Sequence, residues 1–240
     1  MHTHDLPHRL PVRRNEQILP GVQYLEIDRP FEFAAGQCVS LSTLSGPARY
    51  YSIASGERAP SIGILYDVVP GGALTKQLSL LVPGDTIMVS DPFGTFVDDR
   101  QPSMWIATGT GVAPFLSAIR SGSVSEKTLV YGSRTSDRFY FADELSTSLG
   151  DRLVLCCSQC AESPGTGAPA GSGEPWGGAR RATCYSGRLT GWLRDAASTG
   201  KLPIDTRYFL CGSAGMIVDV RDLLIASGVA FDRIHSEIYF

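Results

Sequence analysis

The chain has 240 residues, 43% hydrophobic and 19% charged, a balance that suits a folded globular protein and excludes collagen, coiled coil and disordered acidic tails. Its net charge of −3 is uneven: residues 1–100 carry 8 basic and 11 acidic groups, and residues 101–240 carry 13 of each, so no basic half exists to grip nucleic acid. No apolar run approaches the roughly 18 residues of a membrane span, and the opening MHTHDLPHRLPVRR lacks the apolar stretch of a signal peptide; the expectation is a cytoplasmic protein with no membrane span. Length favours two domains over one core.

From Leu6 to Val97 short apolar stretches (VQYLEI, QCVSLSTL, YYSIAS, IGILYDVV, TIMVS) alternate with turn residues, which predicts an antiparallel β-barrel or sandwich. One helix is expected within it, from Ala73 to Leu81, where Leu74, Leu78 and Leu81 recur at helical spacing before Val82-Pro83-Gly84-Asp85. After Asp98-Asp99-Arg100-Gln101-Pro102 the texture changes. The strand-like segments MWIAT, TLVYGS, RLVLCCS and RYFLCGS alternate with helical stretches at Pro114 to Ser121, Phe141 to Leu149, Leu189 to Ala197 and Gly215 to Ser227, the pattern of a parallel sheet covered by helices. The expected fold class is two-domain, β followed by α/β: a β-barrel over residues 1–100 and a parallel-sheet α/β domain over 101–240. Ala161 to Gly187 is rich in Gly, Pro and Ser and reads as a surface loop.

Six cysteines are present. Cys156, Cys157 and Cys160 crowd together but lack the second pair of a zinc site and the spacing of an iron–sulfur centre. They are expected to be reduced thiols in or just after a buried strand, with no metal bound.

The sharpest motif is WIATGTGVAPFLSAI, in which an apolar strand ends in Gly109-Thr110-Gly111 and a helix opens near Pro114. Such a turn lets backbone N–H groups approach a pyrophosphate closely, because glycine removes the side chain that would block it. Proline at position 114 departs from the G-x-G-x-x-G fingerprint.

In this the chain resembles the ferredoxin–NADP reductase superfamily, whose nucleotide domain carries a G-T-G-x-x-P signature, and further motifs agree in order. Arg49-Tyr50-Tyr51-Ser52 matches the R-x-Y-[ST] flavin motif, which implies Arg49 on the flavin phosphates, Tyr51 against the isoalloxazine and Ser52 near the reactive N5. Gly72-Ala73-Leu74-Thr75 matches the G-x-x-[ST] segment that receives the FAD pyrophosphate, suggesting FAD rather than FMN. Tyr66 falls where relatives flank the flavin's ribityl and adenosine portions; a barrel tyrosine equally packs into a core. In the second domain the resemblance places Gly109, Thr110, Gly111 and Pro114 along the nicotinamide dinucleotide, and Cys211-Gly212 matches a CG motif beside the nicotinamide carbon that gives up hydride.

At the carboxyl end Glu237-Ile238-Tyr239-Phe240 resembles the family's acidic and aromatic tail. It implies a carboxylate, Glu237, that handles a proton or positions nicotinamide, and a ring, Tyr239 or Phe240, that covers the flavin. Ser158-Gln159 stands where many relatives place Ser-Arg against a 2′-phosphate. Arg134 and Arg188 match adenosine-side arginines, with Arg180-Arg181 near in the loop, so NADPH and NADH both remain open. The implied activity is hydride transfer from NAD(P)H to FAD, with Ser52, Cys211 and Glu237 closest to the chemistry. Single electrons then pass to a separate ferredoxin, flavodoxin or oxygenase component. A free flavin or ferric reductase shares every motif; an electron-transfer subunit or a non-enzymatic redox sensor shares the fold.

Overall fold

The computed structural model describes residues 5–44, 46–160, 176, 179 and 181–239, the last two by their backbone alone. Its contacts divide into two compact units, residues 1–99 with 113–122, and residues 100–112 with 123–240.

The first unit is a six-stranded antiparallel sheet: β1 (His8–Leu19), β2 (Val22–Asp28), β3 (Cys38–Ser42), β4 (Arg49–Ser52), β5 (Ser61–Asp67) and β6 (Thr86–Val89), in the order β4-β3-β6-β1-β2-β5. β1 was not among the segments the sequence singled out. It pairs with β6 over His8–Pro11 and with β2 over Val12–Leu19, with a register shift between Val12 and Arg14. That irregularity bends the long strand, so one strand serves both halves of a curling sheet. The two outer strands meet at a bridge between Ile53 and Ile64. Alternating residues turn inward: Leu25 and Ile27 of β2, Val39 and Leu41 of β3 and Ile87 and Val89 of β6 are buried together with Ile62, Ile64 and Tyr66 of β5.

Helix α1 (Ala73–Leu78) is one and a half turns long, and Leu74 and Leu78 sink into this core. Its carboxyl end is held by Asn15 of β1, whose Nδ2 donates to the carbonyl oxygens of Leu78 at 2.8 Å and Leu81 at 2.9 Å. The Leu78 carbonyl also accepts from the N–H of Leu81 at 3.1 Å, so Asn15 adds a second donor there and supplies one to the carbonyl of Leu81. Helix α2 (Ala113–Arg120) groups with the first unit. Its Ser117 Oγ donates to the carbonyl oxygen of Ser55 at 2.7 Å, and its Arg120 donates to Tyr24 Oη at 2.8 Å and to the carbonyl oxygen of Ala54 at 2.9 Å.

The second unit is a six-stranded parallel sheet of β7 (Ser103–Thr108), β8 (Lys127–Ser133), β9 (Leu153–Cys157), β10 (Thr183–Ser186), β11 (Arg207–Ser213) and β12 (Ile234–Tyr239), in the order β10-β9-β8-β7-β11-β12. β7 and β9 are buried almost throughout, as strands covered on both faces must be. Helices α3 (Ala142–Leu149), α4 (Leu189–Ser198) and α5 (Ala214–Ala226) alternate with the strands. Leu189 and Leu193 of α4 and Ile217, Val220 and Leu224 of α5 pack on Ile106, Val130, Val154 and Leu210 of the sheet.

Two sequence expectations change here. The loop expected through Gly187 contains β10, because Thr183–Ser186 find open strand edge beside Val154–Cys157 and pair with it in register; residues 161–175, 177, 178 and 180 lie outside the described residues. The tail read only as acidic and aromatic is β12, a strand parallel to β11. Among the described residues no helix is long and apolar enough to cross a membrane.

Candidate functional site

Strand order reverses at one place in the parallel sheet. From β7 the chain adds β8, β9 and β10 on one side, then returns to place β11 on the other. Beyond the carboxyl ends of two such strands the connecting segments leave in opposite directions and open a crevice, where ligands of open α/β sheets bind. The two strand ends at this switch point are Thr108-Gly109-Thr110-Gly111 and Cys211-Gly212, the two motifs that the sequence separates by 100 residues.

Their approach is close enough to dictate residue type. A Cβ on Gly111 would lie 2.3 Å from the carbonyl oxygen of Cys211 and 2.7 Å from the Cα of Gly212. Gly212 has φ of +147°, and its Cβ would lie 2.3 Å from Thr108 Oγ1; both conditions select glycine. Thr108 Oγ1 accepts from the backbone N–H of Ser213 at 3.4 Å. Tyr131, fully buried in β8, donates its hydroxyl to the carbonyl oxygen of Gly109 at 3.0 Å and accepts from the N–H of Tyr140 at 3.3 Å. Thr108 and Tyr131 thus fix the turn, and Tyr131 does so from outside every motif. On the far side of β11, Cys211 pairs in register with Glu237, and its buried Sγ lies 4.0 Å from Glu237 Oε2. Gly109, Thr110, Gly111, Cys211, Gly212 and Glu237 are therefore gathered at one end of one sheet. Pro114 lies buried in the first turn of α2. The backbone of Tyr239 pairs with Ser213; its side chain and the whole of Phe240 lie outside the described residues.

Three segments meet at the same end of the sheet, farther from the switch point. The N–H groups of Ser158 and Gln159 donate to the carbonyl oxygens of Ser133 at 2.9 Å and Arg134 at 2.8 Å, and the N–H of Gly187 donates to that of Cys157 at 2.8 Å. Exposed Arg134 and Arg188 flank this turn. Arg181 does not join them. Its guanidinium packs beside Gly150, at the opposite, amino-terminal end of β9, because β10 runs parallel to β9 and carries the two ends of the segment apart; Arg180 lies outside the described residues. The expectation of three reduced thiols also fails: Cys157 and Cys160 are joined as a disulfide with Cα atoms 5.4 Å apart, while Cys156 is free and buried. The two-residue spacing brings the sulfurs together once the chain turns at the strand end.

In the first unit, alternation along β4 puts Arg49 and Tyr51 on one face and Tyr50 and Ser52 on the other. Tyr51 is half-buried, and burial pushes its phenol up to about 12, opposed by the Arg49 cation. Tyr50 sets its ring edge-on to Phe93 at 5.0 Å, and Ser52 is buried opposite Cys38 of β3. Tyr66 takes the core alternative: it is buried, meets Tyr51 edge-on with ring centroids 6.2 Å apart, and donates to Asn15 Oδ1 at 3.3 Å. It backs the Tyr51 ring. Burial pushes its phenol up as well. At the start of α1, Thr75 Oγ1 accepts from the N–H of Val69 at 3.0 Å, and Gly72 leaves open the space that a Cβ would fill between Thr75 Oγ1 and the Val69 carbonyl. Ala73 is exposed, whereas Leu74 faces the core, so only its backbone is available to a ligand.

A fixed exposed cation, a half-buried aromatic ring, a buried hydroxyl and a side-chain-free cradle at a helix start suit a flavin dinucleotide, and the glycine-lined switch point suits a second dinucleotide. Residues 105–155 match the family model of the oxidoreductase NAD-binding domain. The fold and these sites define a class, the flavin- and pyridine-nucleotide-dependent oxidoreductases. The chain is 30% identical over 239 residues to ferredoxin–NADP reductase B of Sorangium cellulosum, covering 92% of each, and 32% identical over 192 residues to a Pseudomonas aeruginosa ferredoxin–NADP reductase, covering 75% of this chain and 72% of that one. The crystal structure of a Neisseria gonorrhoeae ferredoxin NADP+ reductase with bound FAD and NADP superimposes with a TM-score of 0.81 at 21% identity, over 97% of this chain and 98% of that one. The chain belongs to the ferredoxin–NADP reductase family and is an FAD-dependent NAD(P)H oxidoreductase.

Proposed function

We propose that the protein carries electrons from NAD(P)H through FAD to a separate protein acceptor in the cytoplasm, the acceptor being a ferredoxin, a flavodoxin or an oxygenase component. In this reading residues 1–100 form the FAD-binding domain and residues 101–240 the NAD(P)-binding domain. When bound, FAD would supply the hydride acceptor and the conversion to one-electron transfer, chemistry that belongs to the cofactor. The protein supplies binding and orientation. Arg49 offers a guanidinium fork to the flavin phosphates, Ala73 to Thr75 offer backbone N–H groups and a hydroxyl to the pyrophosphate beside the side-chain-free Gly72, Tyr51 offers an aromatic face, and Ser52 offers a small hydroxyl that leaves room for the hydride donor.

In the second domain the Gly109-Thr110-Gly111 turn receives the nucleotide pyrophosphate, and Cys211 and Glu237 flank the nicotinamide. Holding the donor carbon in position raises the rate by removing orientational freedom before the chemical step. The observation that carries this reading is the convergence of Gly111, Cys211, Gly212 and Glu237 at the sheet's switch point. Arg134 and Arg188, exposed on either side of the Ser158–Gln159 turn, are cations for a 2′-phosphate and favour NADPH over NADH. Anaerobic stopped-flow absorbance with each nucleotide tests the proposal. Rapid loss of the oxidised-flavin band is expected, faster with NADPH; a protein that keeps bound FAD oxidised with both would be a non-enzymatic module.

A further inference from the structure

The disulfide joins the two ends of a four-residue turn, Cys157-Ser158-Gln159-Cys160, whose middle residues lie at the adenosine end of the nucleotide site proposed above. We propose that Cys157 and Cys160 form a thiol–disulfide exchange site for a dithiol reductant, and that opening it loosens the Ser158–Gln159 turn and weakens nucleotide binding.

Three observations carry this inference, which rests on the reading of the second unit as the NAD(P) domain. First, the two sulfurs differ in access. Cys157 is fully buried at the end of β9, whereas Cys160 is partly exposed, so an incoming thiolate meets Cys160 Sγ. Secondly, the reduced form already has a place. Cys157 Sγ lies 3.3 Å from the carbonyl oxygen of Arg134, an acceptor that a disulfide sulfur cannot use and a thiol can. Thirdly, the neighbouring thiols stay out of the exchange: burial pushes those of Cys156 and Cys184 up, and a protonated thiol is a poor nucleophile. A purely structural purpose fits less well, because so short a loop constrains the unfolded chain least. In a cytoplasmic protein, moreover, disulfides are mostly transient or sensing.

The step balances. One thiolate of the dithiol attacks Cys160 Sγ, the Cys157–Cys160 bond breaks, and the Cys157 sulfur leaves, takes up a proton and donates to the Arg134 carbonyl. The second thiol then attacks the mixed disulfide, freeing Cys160 and leaving the reductant as its own disulfide. Two electrons and two protons reach the protein. Ser158 and Gln159 are then held by their backbone hydrogen bonds to Ser133 and Arg134 without the covalent link that closed the turn.

The test uses the full-length flavin-bound protein. Alkylation in denaturant followed by intact mass should count four reactive thiols after air equilibration and six after dithiothreitol. Calorimetric titration with NADP+ should give a dissociation constant roughly 3–10-fold higher in the reduced protein, the scale of releasing a preorganised two-residue turn. Unreduced Cys160→Ser should match the reduced wild type. Six reactive thiols before reduction, or equal affinities in the two states, would overturn the inference. If the affinities are equal while NADPH still bleaches the flavin, the inference alone falls; if NADP+ binds in neither state, the reading of the nucleotide domain falls with it.

Discussion

A Cβ placed on Gly111 would stand 2.3 Å from the carbonyl oxygen of Cys211, so at this point the turn after β7 and the end of β11 meet backbone to backbone. Each motif holds the other in place. Gly111→Ala forces that contact apart by about an ångström, and overpacking of this kind costs about 1–3 kcal/mol. The variant should keep its FAD, melt several degrees lower, and show a raised KM for the pyridine nucleotide. An unchanged KM would remove the turn from the nucleotide site.

Cys211→Ser and Ser52→Ala test the residues assigned to the hydride path. Each should lower the single-turnover rate of flavin reduction about tenfold or more, because small displacements of a reacting pair are costly, with bound FAD close to stoichiometric. Stopped-flow traces that superimpose on the wild type would refute the assignment of that residue.

Asn15 links three parts of the first unit: it accepts from Tyr66 and caps α1 through the Leu78 and Leu81 carbonyls. Asn15→Ala takes this donor from the Leu81 carbonyl and leaves that of Leu78 with the Leu81 N–H alone, a loss of about 1–3 kcal/mol. The expected signs are a lower melting temperature and faster release of FAD on dilution, since α1 begins at the proposed pyrophosphate cradle. Retention of FAD equal to the wild type would separate the cap from the cofactor.

The Tyr51 phenol titrates at about 12 in the folded chain and at 10.0 unperturbed. Burial favours the neutral form, so its contribution is fully present below pH 10 and is lost as pH rises from 10 to 12, where the unfolded chain ionises and the folded one does not. Urea midpoints should fall across that window. Tyr51→Phe should flatten the fall by about 1–2 kcal/mol; an unchanged slope would mean that other groups govern the alkaline limb.

Much of the fold was legible because its signals are local. Alternation in VQYLEI marks β2, the leucine spacing marks α1, and buried apolar runs such as RLVLCC mark strands covered on both faces. The disulfide was not legible: Cys157 and Cys160 read as free thiols until the turn after β9 was seen to bring them together. Nor was Asn15, whose partners Leu78 and Leu81 lie 63 and 66 residues away, or Tyr131, which as one more apolar residue in TLVYGS carries no mark of the hydrogen bond it donates to Gly109. The core position of Tyr66 depended on which face of β5 turned inward.

The sequence by itself determined the two-part architecture, because periodicity and glycine placement are properties of neighbouring residues, and its motifs in order carried the resemblance to the family. Only the tertiary structure decided which motifs meet. Strand order puts β11 beside β7 instead of beside β10, with α4 and α5 packed on the sheet. It sets Gly111 against Cys211 and carries Arg181 to the far end of β9. Contacts of that kind depend on where distant segments are buried, which no local pattern encodes.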